Sequence, residues 1–143
     1  MTPQPHRRSS SAQRIGALVA AAGGGVLSAV TVRALPPRTG AVAAAAGLVK
    51  AAVIYPASRH GRSSRDKRES AVVAASAAVM AAAAFLPTPR AHVAVALAWL
   101  SHAAFDAVYH HTPSDTALPD WYPALCAGYD VGLGAALLAP RGT

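Results

Sequence analysis

The chain has 143 residues, of which 53% are hydrophobic and only 13% charged. That charged share is about half what a soluble domain carries, and together with the high apolar fraction it fits neither a disordered chain nor an ordinary water-soluble fold. Its single Cys rules out an intrachain disulfide and a multi-cysteine zinc site.

Charges are segregated along the chain. Residues 1–14 form a basic tail with Arg7, Arg8 and Arg14. Five apolar stretches follow, at about 15–34, 40–56, 70–87, 91–110 and 121–139, within a membrane region of 15–139, and 140–143 form a short C-terminal tail. A span needs about 20 mostly apolar residues, range ~17–25. The second and third stretches are short and built on alanine, so four spans is the alternative to five. Lipid offers no partner to open strand edges, and a chain this small cannot close a barrel. The expected fold is therefore all-α, a polytopic transmembrane bundle. Gly16, Gly23, Gly24 and Gly25 in the first stretch, and Gly128, Gly132 and Gly134 in the last, suit close helix approach.

The first stretch reads as a retained anchor rather than a cleaved signal, because later spans follow it. Arg59, Arg62, Arg65, Lys67 and Arg68 crowd the stretch 58–70. Positive residues stay cytoplasmic, so the N-terminus and this loop are expected inside, with eight Lys/Arg inside and four outside. The expected location is the bacterial cytoplasmic membrane, multi-pass. No aromatic residues interleave with these charges, so no nucleic-acid partner is expected. The partners expected are the bilayer and, because thin alanine-rich helices bury little alone, further copies of the chain.

The informative segment is 101–130, which holds three of the six His and four of the six Asp and Glu. His102, Asp106 and His110 recur every fourth residue and form one helical stripe. Tyr122, Cys126 and Asp130 do the same on the last stretch. In an antiparallel pair His102 falls level with Asp130, Asp106 with Cys126 and His110 with Tyr122. An Asp at a span's centre costs about 2.5–3.5 kcal/mol, against a return of ~0.3–0.6 per Leu or Val. Such residues face the bundle interior and mark a functional site. His111 and Cys126 stand second to His102, Asp106, His110 and Asp130. Lys50 is either a partner for Asp106 or a side chain that snorkels to the interface. Asp120 is the expected N-cap of the last helix.

Three functions suit this set. The first is a metal-dependent enzyme or ligand site using zinc or iron on His102, Asp106, His110 and Asp130. One ion cannot bridge His102 and His110, because eight residues of helix rise about 12 Å. The second is a proton-coupled transporter or relay, although the outer halves of these helices are apolar. The third is a structural subunit whose ion pairs only hold helices together. Phosphate-binding loops, nucleophile elbows and dinucleotide fingerprints are absent, and Glu69, the single Glu, is assigned to the basic loop. The runs H-x3-D-x3-H-H (His102, Asp106, His110, His111) and W-Y-P-x3-C-x3-D (Trp121 to Asp130) resemble a signature of small bacterial multi-span membrane proteins. The resemblance covers the C-terminal third and implies a membrane protein without supplying an activity.

Overall fold

Proline sets the punctuation. Leu35 precedes Pro36 and Pro36 precedes Pro37, and the steric demand of a following proline drives both to extended geometry, with ψ of 160° and 135°. One helix must stop there and the next must start. Farther along, Leu86 precedes Pro87, which at ψ 136° is the extended residue before α4. The computed structural model describes residues 9–59, 65–110 and 116–140. They form α1 (Ser11–Ala34), α2 (Pro37–Ala57), α3 (Arg65–Phe85), α4 (Thr88–Tyr109) and α5 (Tyr122–Leu138). Among them the only β pairing is one isolated bridge, Arg59 with Thr116. Alanine's helix propensity supports the helical interiors, and Ser10 caps α1 by accepting from the Gln13 amide at 3.1 Å.

Four of the five helices are long and apolar enough to cross a membrane. The fifth has 17 residues, a rise of about 26 Å, just short of a bilayer's ~30 Å core. Its neighbours fix its direction. Gly128 lies against the Leu18 carbonyl and Gly132 against that of Ala22. The separation in sequence is constant, so α5 runs parallel to α1. Against α4, Asp130 meets His102 and Gly134 meets Ala96 and Leu100, the constant sum of an antiparallel pair. A helix parallel to the first and antiparallel to the fourth is what an odd-numbered traverse requires.

The interior is made mainly of small side chains. Ala41, Ala44, Ala45, Val95 and Ala96 pack around Leu48, Trp99 and Leu133. Trp99 is fully packed rather than lipid-facing, and its indole N–H donates to the Ala44 carbonyl at 3.1 Å. Trp99→Phe should cost about 1–2 kcal/mol, from one weak hydrogen bond and a small void, read as a shift in detergent unfolding.

At one end of the bundle lie the start of α1 with Arg14, the end of α2, the start of α3 with Lys67 and Arg68, and the α4–α5 connection. At the other end, Arg38 donates to the Ala84 carbonyl at the end of α3, at 2.8 Å. Arg33 donates to Leu137 and Ala139 at the end of α5. Cations at helix C-termini complement the exposed carbonyls and the macrodipole.

Candidate functional site

The site begins with the way α5 is gripped. Gly128 and Gly132 face α1, four residues apart. Asp130 lies midway between them in sequence, about 200° around the helix from each, and so points away from α1 into α4. There its Oδ2 accepts from His102 Nδ1 at 2.7 Å, with both side chains buried. The level pairing expected of these two residues is therefore observed.

One turn along α4, Asp106 is fully buried, and its Oδ2 lies 3.9 Å from the same His102 nitrogen. Neither Asp106 oxygen has a hydrogen-bond partner among the described residues. Ligand atoms of His102, Asp106 and Asp130 all lie within 4.8 Å of one another.

His110 departs from the stripe. The α4 helix ends at Tyr109, and His110 takes φ −116°, ψ 9°, outside helical geometry, while its amide still donates to the Asp106 carbonyl at 2.9 Å. Its ring stacks on Tyr55, with centroids 3.7 Å apart, and its Nε2 lies 3.6 Å from Glu69 Oε1. Tyr55 in turn meets Tyr122 edge to face at 6.1 Å, so Tyr55 comes between the two residues expected to pair directly. Glu69 is bonded twice by Arg59, through Nε at 2.7 Å and through Nη2. The Arg59 segment is tied to the α4–α5 connection by the Ala117 amide, which donates to the Ser58 carbonyl at 3.0 Å.

Several expectations change. Glu69 is not a loop residue: α3 starts at Arg65, and Glu69 lies one turn inside it, 2% exposed. Lys50 is exposed and takes no part in the cluster, because its place on α2 is opposite the buried stripe of Ala41, Leu48 and Tyr55. Asp120 does not cap α5. Trp121 holds that position without a side-chain bond, and a Pro119–Tyr122 turn leads the chain in. Cys126 is a half-buried free thiol outside the three-residue group. His111 lies outside the described residues.

Sequence reasoning missed Tyr55, Arg59 and Glu69. A signal existed for Glu69: with Ser76 and Ala83 it marks a seven-residue spacing, and all three are buried. Such spacing keeps residues on one helix face.

Fold and site together define a small helical bundle, four of its helices able to cross a membrane, with a buried His/Asp group between α4 and α5. Comparison of the chain with protein-family models, curated proteins and solved structures finds no match.

Proposed function

We propose that this is an integral membrane protein of a bacterial cytoplasmic membrane that holds a divalent metal ion, zinc or iron, on His102, Asp106 and Asp130. The observation that carries this reading is the Asp106 carboxylate, fully buried and without a hydrogen bond among the described residues. A charge in that state is costly unless a cation or several donors meet it. A nitrogen and two carboxylates within 4.8 Å need to move inward by only about an ångström to reach ligand bonds of ~2.0–2.2 Å. Three protein ligands leave a coordination position for water or substrate, the arrangement of catalytic rather than structural zinc sites. The bound ion would supply Lewis acidity and an activated water. Before the ion binds, Asp130, held by α5, would orient the His102 ring by accepting from its Nδ1.

In the proposed orientation the N-terminus is cytoplasmic. Arg14, Arg59, Lys67 and Arg68 gather at that end, whereas Arg33 and Arg38 at the other are engaged by helix-end carbonyls. The site then lies in the cytoplasmic half of the bundle.

A second reading, a proton relay, draws on the succession of buried polar groups from Asp130 through His102 and Asp106 to His110 and Glu69. Beyond Asp130 the interior turns to Trp99, Leu133 and Leu137, which offers no continuation to the opposite face.

Elemental analysis of protein purified without chelator separates the two. Wild type and His110→Gln should hold near-stoichiometric zinc or iron, and Asp106→Asn and Asp130→Asn at least about tenfold less. Wild type that stays metal-free after incubation with both ions would sink the metal reading. Proton flux in liposomes abolished by Asp106→Asn would then favour the relay.

A further inference from the structure

On the side of His102 away from α5 lies a pocket of about 430 Å³ between α2, α3 and α4, within the range of about 300–1,000 Å³ usual for small-molecule sites. Leu48, Val72, Val79, Leu97 and Phe105 supply its apolar wall, and His102 is the one titratable side chain among its described lining residues. Two hydroxyls reach the lining, but each is committed to its own helix: Ser76 donates to the Val72 carbonyl and Ser101 to that of Leu97, both at 2.8 Å. At the rim, Leu97 is 51% exposed, and Ala75 and Ser101 are exposed too. The mouth therefore opens sideways between α3 and α4, at the level where both helices would face hydrocarbon.

We infer that this pocket binds the hydrocarbon chain of a neutral, hydroxyl-bearing lipid-like molecule, with the hydroxyl on His102. An aliphatic wall opening into hydrocarbon selects a chain. Its polar end is selected by His102. Nδ1 is engaged by Asp130, so the ring's remaining nitrogen, Nε2, is the one left for a ligand. When Nδ1 carries the proton to Asp130, Nε2 accepts; when Nδ1 ligates an ion, Nε2 carries the proton and donates. A hydroxyl satisfies either state because it both donates and accepts. A carboxylate or phosphate does not fit, since Asp106 and Asp130 already place two acidic groups beside the ring and like charges repel. The inference goes beyond the metal reading and stands without it.

The test uses the full chain in lipid nanodiscs with a photoactivatable long-chain primary alcohol, its carboxylic acid and the matching alkane. Alcohol labelling should concentrate on 72–79 and 97–105, at about three- to tenfold the level of alkane or acid, the ratio one hydrogen bond supplies. Filling the pocket from either side, with Ala98→Phe or Val79→Trp, should remove that labelling and leave metal content unchanged. Equal labelling by all three probes, preference for the acid, or labelling that survives both variants would overturn the proposal. Labelling on a protein that binds no metal overturns the metal reading alone, and metal without labelling overturns the pocket's occupant alone.

Discussion

Gly132→Leu is expected to be the most damaging single substitution in the bundle, with a loss of more than about 3 kcal/mol. Overpacking ordinarily costs ~1–3 kcal/mol where side chains can yield. Here a Cβ at position 132 meets the carbonyl oxygen, the carbonyl carbon and Cα of Ala22, and one at position 128 meets the same three atoms of Leu18. Backbone cannot turn aside as a rotamer can, so α1 and α5 must separate. Membrane helices gain little from the hydrophobic effect between them and depend on such close contact. The loss should also spread to the site, because Asp130 is aimed at His102 by the glycines on either side of it. Gly132→Leu should therefore lower both the detergent-unfolding midpoint and metal content. The control lies on α1 but off the seam: Gly16 and Gly23 are exposed and have nothing within 4 Å of an added Cβ. Gly23→Ala should stabilise by about 0.5–1 kcal/mol through helix propensity alone. If Gly132→Leu unfolds with the Gly23→Ala variant, the seam is not what seats α5.

Glu69→Ala should be nearly as severe, at about 3–5 kcal/mol. It strips the bidentate partner from Arg59, whose side chain is 2% exposed, and removes the carboxylate beside His110. Breaking a buried pair from one side is strongly destabilising, whereas replacing both partners by apolar groups is often neutral. The double variant Arg59→Met, Glu69→Leu should thus recover most of the loss. Equilibrium unfolding of both singles and the double closes the cycle. A coupling energy near zero would mean that water, not Glu69, solvates Arg59. Because the α4–α5 connection is bonded to the Arg59 segment through Ser58 and Ala117, protease cleavage near residues 116–120 should quicken in Glu69→Ala as well.

Much of the fold was legible because its signals are local. Hydropathy and proline positions located all five helices, since a following proline disfavours helical geometry and Pro36, Pro37 and Pro87 fall between apolar stretches. The interior aspartates pointed to one another because lipid penalises Asp106 and Asp130 wherever they face outward. The level register of His102 with Asp130 followed from spacing, because each residue belongs to an i, i+4 stripe and a short connection makes the helices antiparallel; that the two stripes face each other did not. Glu69 was misplaced for an equally physical reason. A run of five cations around it reads as solvated surface, and nothing local says that α3 begins early enough to carry it inside. Lys50 shows the converse, a cation inside an apolar stretch whose helix happens to turn it outward.

Residue type and order alone define the class of architecture and the chemistry available to it: an all-helical bundle, small residues at its seams, and His and Asp concentrated on the last two helices. Those are properties of residue type and spacing, and they survive any rotation of the helices. Which side chains meet depends on how the helices pack. Helix rotation placed Asp106 in the interior without a hydrogen bond among the described residues. The end of α4 at Tyr109 broke His110 from its stripe and laid it on Tyr55. The parallel contact of α1 with α5 turned Asp130 toward His102. Each outcome depends on an angle between two helices, and that angle is set by contacts among residues up to about a hundred positions apart, such as Leu18 with Gly128, which no periodicity within a single helix can express.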